Sequence, residues 1–228
     1  MANFVTLLRC IIVILAISLL FWFKENTIVY LVSFVMTIIA ITMDGLDGYI
    51  ARKYKLTSKL GAVLDIIGDR IVENIYWIAF TALGWVSVWI PIVVVIRSFV
   101  VDGIRSIALE QGLTAFGKTT MMKSSLGKFL VASNFSRGAY AAFKGIAFSL
   151  LIIANIPAFE PGLFKTFIYY FAYISVYITV FLCIIRGLPV IIESKYLFIE
   201  TKQEQPEIKE EKITGKQTQR AEELSGTH

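Results

Sequence analysis

Histidine is almost missing from this chain: the only one among its 228 residues is His228, the last. Acid/base catalysis by an imidazole is thereby excluded, because a terminal side chain has no packed surroundings to hold it in place. Cysteine is nearly as scarce, with Cys10 and Cys183 set singly inside apolar runs. That spacing builds no metal motif, and both read as buried, inert thiols. Charge is thin as well, 17% of residues against 57% hydrophobic, and the apolar residues come in long runs instead of at amphipathic intervals. The chain therefore reads as an all-α, polytopic membrane protein.

The runs Leu7 to Phe23, Thr27 to Met43, Ala62 to Leu83, Trp85 to Val101, Ala139 to Ile156 and Leu163 to Ile185 predict about six transmembrane helices. Several are shorter than the ~20 residues that cross the hydrocarbon core, so their helices are expected to run on into the adjoining polar motifs. Phe21-Trp22-Phe23-Lys24 offers no small-residue cleavage site, so the first run is expected to be a retained helix and not a signal peptide. Lys and Arg collect in Arg52 to Lys59, in Arg105 to Arg137 and after Lys195, while the other loops hold only Lys24 and Lys165. The positive-inside bias puts both termini and the basic loops on the cytoplasmic side of an inner or cytoplasmic membrane. The net charge of +5 lies beside membrane helices, where anionic headgroups and phosphorylated substrates are nearer partners than nucleic acid.

No fixed-period repeat and no Ser/Gly- or Pro-rich linker divides residues 1–193, which read as one membrane domain; 194–228 form a polar tail, disordered or a solvated helix. Pro91 falls inside the fourth run, where a kink is tolerated, and Pro157 with Pro161-Gly162 marks the turn before the last helix. Gly103, Gly112 and Gly117 predict a loop after the fourth span, with a short interfacial helix and a turn.

The most informative segment is D-x-x-D-G-x-x-A-R from Asp44 to Arg52, followed after eight residues by G-x-x-x-D-x-x-x-D from Gly61 to Asp69. If the second helix continues past Met43, Asp44 and Asp47 share a face, and Asp65 and Asp69 repeat the pattern at i, i+4. Antiparallel packing of the second and third helices would join the two pairs, with Gly48, Ala51, Gly61 and Gly68 allowing close approach. Carboxylates gathered in this way repel one another unless a cation sits between them, and oxygen-only ligands select hard ions such as Mg²⁺ or Mn²⁺. A carboxylate pair bridging two such ions suits phosphoryl transfer; the competing reading is a proton or cation pathway using the same aspartates.

Asp44-Gly45-Leu46-Asp47-Gly48-Tyr49-Ile50-Ala51-Arg52 with Gly61, Asp65 and Asp69 resembles, without a gap, the signature of the CDP-alcohol phosphatidyltransferase family. The resemblance implies a six-helix membrane enzyme, usually a homodimer, that moves a phosphatidyl or similar group from a CDP-linked donor onto an alcohol and releases CMP. It implies that Asp44 and Asp65 bridge two ions, Mg²⁺ or Mn²⁺, that Asp47 completes one site, and that Asp69 touches the other and serves as general base. It also implies that Gly48, Ala51, Arg52 and Gly61 shape the cytidine nucleotide pocket.

Further motifs bear on the acceptor. The opening Asn3-x-x-Thr6-x-x-Arg9 is similar to that of phosphatidylglycerophosphate synthases, which implies that Asn3 and Thr6 contact nucleotide; a helix start with a positive anchor is the alternative. Arg97 to Arg105 and Ser124-Ser125-Leu126-Gly127-Lys128 resemble two further segments of those enzymes. Arg97, Arg105 and Lys128, with Arg137, are therefore candidates to bind the phosphate of an acceptor such as sn-glycerol 3-phosphate, with flanking headgroup contacts as the alternative. The chain departs from that pattern with Ser98 for Glu, Asp102 for Ser, Arg70 for Lys and Leu130-Val131 for Lys-Thr. Other acceptors, inositol phosphate, serine or another alcohol, stay open on these residues. Glu73 and Asn74, one turn beyond Asp69, are expected to line the same polar cavity.

Overall fold

The computed structural model describes residues 2–53, 59–110, 112–113 and 120–195, with backbone alone for 2–3, 46–53, 59–60 and 62. The polar tail beyond Lys195, Gly117 and most of the basic stretch 53–59 lie outside the described residues. The described elements are helices α1 (Ala2–Trp22), α2 (Thr27–Lys53), α3 (Lys59–Ala82), α4 (Trp89–Glu110), the single turn α5 (Ser125–Gly127), α6 (Asn134–Ala154) and α7 (Leu163–Glu193). A π-helical turn, Lys128–Ala132, joins α5 to α6.

Long apolar runs become helices because the helix satisfies every backbone polar group within its own segment. Their ends are set by local chemistry. Asn26 Oδ1 accepts from Ile28 N at 2.9 Å as α2 begins, and Ser133 Oγ accepts from Ser136 N at 3.1 Å as α6 begins. Gly84 and Gly112, at φ +77° and +76°, close α3 and α4, where Trp85 N and Leu113 N reach back to Phe80 O and Ala108 O.

Helix α2 continues ten residues past Met43, as the short apolar run required. The fourth helix differs from expectation: it starts at Trp89 and runs to Glu110, so Gly103 is helical and not in a loop. Pro91 then sits in the first turn, where a missing N–H costs no hydrogen bond and no kink is needed. Among the described residues, four helices, α1, α2, α6 and α7, are long and apolar enough to cross a membrane; α3 and α4 have the length, at 24 and 22 residues, but carry charge along it.

Helix α1 packs against both α2 and α3, α2 against α6, α6 against α7, and α4 against α3 and α7. The core between them is Val13, Leu20, Tyr76, Trp77, Phe80, Phe148, Leu151 and Val176. Phe148 stacks on Tyr76 at 4.5 Å and meets the edge of Trp77 at 4.9 Å. A run of hydroxyls fastens three helices inside it: Tyr76 donates to Thr37 (2.8 Å), Thr37 to Ser33 O (2.8 Å) and Ser33 to Ala16 O (3.0 Å). Outside, Leu7, Ile11, Ile14, Leu15, Val35, Phe167, Tyr170, Phe171 and Phe181 are exposed, an apolar coat suited to lipid. A second, smaller core of Val101, Ala108, Met121, Met122, Val131 and Val190 seats the segment after α4 against the end of α7.

Replacing Tyr76 by Phe removes the first link of the hydroxyl run while Thr37 keeps its own acceptor. The expected loss is about 1 kcal/mol, read as a fall of roughly 2–4 °C in the thermal melt of the detergent-solubilised protein; an unchanged melt would show that the link adds nothing.

Candidate active site

Asp44 from α2 and Asp65 and Asp69 from α3 converge, each offering a carboxylate oxygen within 4.8 Å of the others'. Asp65 is exposed, and the Asp44 and Asp69 side chains are about two-fifths exposed, so the cluster opens to the surface. Three convergent oxygen donors fit a hard divalent cation, which prefers carboxylates and tolerates remaining water ligands. Asp47 lies in α2 one turn after Asp44, but its side chain is outside the described residues, as are those of Asn3, Gly48, Ala51 and Arg52.

The residue that ties this cluster together is Arg9. Its side chain is almost fully buried; Nη2 donates to Asp69 Oδ1 at 2.8 Å, and Nη1 pairs with Asp44 Oδ1. Arg9 reaches the cluster because α1 packs against both α2 and α3. A methyl group on Gly68 would overlap Thr6 Cγ2 and stand 3.3 Å from Arg9 Nη2, so the close approach that Gly68 permits is to α1. Thr6 is buried there, while Gly61 is half-buried at the start of α3. Sequence reading treated Arg9 only as an anchor, yet an arginine inside an apolar run needs a counter-ion, and that requirement pointed to the aspartates.

A cavity of about 200 Å³ runs inward from the cluster, lined by Arg9, Asp44, Asp69 and Lys144 at its polar end and Val72, Tyr76 and Phe148 deeper in. Asp69, Val72 and Tyr76 follow one face of α3. Glu73 does not join them: the neighbouring face of α3, with Arg70 and Glu73, turns toward α4 and α6. Asn74 is half-buried, with no described residue donating to its Oδ1.

On that second face lies a buried group of mostly basic side chains. Arg70 forms a two-pronged pair with Asp102, Nε to Oδ2 at 2.7 Å and Nη2 to Oδ1 at 3.2 Å, and Arg105 stands 3.7 Å from the same carboxylate. Two departures from the synthase pattern, Arg70 for Lys and Asp102 for Ser, are thus the two halves of one ion pair. Glu73, 1% exposed, accepts from Tyr140 and holds Arg70 (3.5 Å) and Lys144 (3.4 Å). Arg97, Arg70 and Arg186 all lie within electrostatic reach of Arg105. Arg186 from α7 sits over the Tyr140 ring at 5.3 Å and donates to Ser136 O at 3.2 Å.

In this group the cations Arg70, Arg97, Arg105, Lys144 and Arg186 gather round the carboxylates Glu73 and Asp102. Among the described residues, the buried Nε atoms of Arg97 and Arg186 have no hydrogen-bond partner. A cluster of arginines of this kind is a place for an anion, and guanidinium forks favour phosphate. Arg137, half-buried beside Asn134, lies within reach of Arg186, whereas Lys128 is exposed and lies near Glu193. Arg186 escaped the sequence reading because the last apolar run was taken to end at Ile185, and Tyr140 and Lys144 because aromatic and basic residues are common at span ends.

An acidic cluster and a basic pocket on adjacent faces of one helix define a class of site, one that handles phosphorylated molecules at a membrane surface. The chain belongs to the CDP-alcohol phosphatidyltransferase family, whose model matches residues 1–194. It is 26% identical over 160 residues to the CDP-diacylglycerol--glycerol-3-phosphate 3-phosphatidyltransferase of Bacillus subtilis (strain 168), covering 70% of this chain and 72% of that protein. It is 39% identical over 79 residues, 35% of each chain, to the protein of that name from Mycoplasma pneumoniae. A probable phosphatidylglycerophosphate synthase of Mycobacterium tuberculosis is 25% identical over 58% of this chain and 66% of its own. The chain thus spans about a third of the length of the Mycoplasma relative and about seven tenths of the Bacillus one.

Gly68→Ala should destabilise the protein by about 1–3 kcal/mol through overpacking against Thr6. Adding Thr6→Ser, which deletes the colliding methyl and keeps the hydroxyl, should recover most of that loss in a thermal melt; a strictly additive double variant would count against the contact.

Proposed function

We propose that this protein is an integral membrane phosphatidyltransferase that moves the phosphatidyl group of CDP-diacylglycerol onto sn-glycerol 3-phosphate and releases CMP. The observation that carries the reading is the group of Arg97, Arg105 and Arg186 gathered near Arg70, the residue that follows Asp69 on α3. The names of the relatives agree with it.

In this reading Arg97, Arg105 and Arg186, with Arg137 and Lys128 nearer the surface, bind the acceptor's phosphate and present its hydroxyl to α3. Asp69 takes the hydroxyl proton. The freed oxygen bonds to the phosphorus that carries the diacylglycerol, and the bond from that phosphorus to the CMP oxygen breaks. Asp44, Asp47, Asp65 and Asp69 would hold two ions, Mg²⁺ or Mn²⁺, which supply charge stabilisation for the pyrophosphate when bound. Asn3, Thr6, Gly48, Ala51, Arg52 and Gly61 take the cytidine nucleotide, and the apolar inner cavity beyond Asp44 suits the lipid end of the donor. We place six spans in the bilayer, α3 and α4 included, with the site and both termini on the cytoplasmic side, and assign the aromatic outer face of α7 to lipid or to the second copy of a homodimer.

The test is purified protein in nanodiscs with labelled CDP-diacylglycerol, Mg²⁺ or Mn²⁺, and glycerol 3-phosphate, inositol phosphate or serine as acceptor. CMP and a phosphatidyl product are expected with glycerol 3-phosphate; CMP release with none of them would favour a cation pathway through the aspartates. Asp65→Asn should abolish turnover together with Mn²⁺ binding followed by electron paramagnetic resonance. Arg186→Ala should raise the KM for the acceptor by about tenfold or more and leave the donor's nearly unchanged; equal changes in both would remove Arg186 from the acceptor site.

A further inference from the structure

Glu193, the last residue of α7, is buried at 8% exposure, and its carboxylate is used to hold the segment that contains Lys128. Its Oε2 accepts from Lys123 N at 2.5 Å and from Ser124 N at 3.3 Å, and its Oε1 accepts from Ser124 Oγ at 2.5 Å. Ser124 Oγ in turn accepts from Gly127 N at 2.9 Å, so one carboxylate fixes the backbone from Lys123 to Gly127. Gly127 is packed under it: an added Cβ would lie 2.5 Å from Glu193 Oε1 and 2.8 Å from Ser124 Oγ, and moving either atom would break the bonds just described.

These contacts join elements 69 and 70 residues apart in the chain. They also join the two halves of the acceptor pocket. Arg186, Val190 and Glu193 fall at i, i+4 and i+7 along α7, all buried and on one face. Arg186 points to the arginines, Val190 packs with Met121, Met122 and Val131, and Glu193 takes the loop.

A negative charge beside a pocket meant for phosphate works against binding. Its place there is accounted for by what it positions. We infer that Glu193 is a positioning residue that holds the Ser124–Lys128 segment in register with Arg186, and thereby sets the affinity for the phosphorylated acceptor. This rests on the acceptor reading proposed above.

The experiment has two arms, run on full-length wild type, Glu193→Ala, Glu193→Gln and Ser124→Ala in nanodiscs. Hydrogen exchange over residues 120–132 reads the clamp whatever the acceptor is, and steady-state kinetics with CDP-diacylglycerol and glycerol 3-phosphate read its consequence. Glu193→Ala is expected to speed exchange at 123, 124 and 127 and to raise the acceptor KM about tenfold, with the donor KM within about twofold. Glu193→Gln, which keeps an accepting oxygen, should be milder. Ser124→Ala should shift the same constant and be less than additive with Glu193→Ala. Unchanged exchange overturns the clamp, and equal rises in both KM values overturn its positioning role. A wild type inert toward glycerol 3-phosphate overturns the acceptor reading instead, and the exchange arm then decides the clamp alone.

Discussion

A charge enclosed by a helical bundle in lipid has to meet its opposite inside the bundle, because the energetic cost of leaving it alone is several kcal/mol. Helix α3 is where this protein meets that constraint. Asp69 faces the surface cluster and is answered, with Asp44, by Arg9 from α1, while Arg70 and Glu73 are answered by Asp102, Lys144 and Tyr140. The positions of α1, α4 and α6 around α3 follow from these pairings as much as from the aromatic core of Tyr76, Trp77 and Phe148.

Much of this was legible beforehand. Apolar run length located most of the helices, and the spacing of the aspartates predicts a meeting of carboxylates, which Asp44, Asp65 and Asp69 make. What sequence could not convey was which helix lies beside which. Gly68 signalled close packing without saying that its partner would be Thr6 on α1. Glu73, one turn past Asp69, is expected at the aspartate cavity, and the four-residue step does set it only about 40° round the helix from Asp69; its carboxylate is drawn instead to Tyr140 and Lys144 of α6 and to Arg70. The extent of α4 differs because Gly103 reads as the start of a loop, whereas Asp102, paired with Arg70 and lying near Arg105, belongs inside the helix.

The departures from the synthase pattern also change meaning in three dimensions. Read singly, Arg70 and Asp102 weaken the likeness. Together they form a two-pronged pair across a 2.7 Å contact: Arg for Lys leaves the charge unchanged, and the carboxylate gained at Asp102 offsets the one lost where Ser98 stands for Glu. Substitutions that come in such a pair alter how the pocket is braced more than what it attracts.

Asp69 and Arg70 are consecutive, so the two sides of the site are fixed to a single rigid rod with a 1.5 Å rise between them. Tilting or sliding α3 would carry the cation cluster and the phosphate pocket along as one piece. On the proposed reading, the distance between the reacting partners cannot be tuned from α3, and a change of acceptor size has to be accommodated by the walls that α4 and α7 provide. Divergence in acceptor preference is then free to proceed on those two helices while the aspartate helix stays as it is.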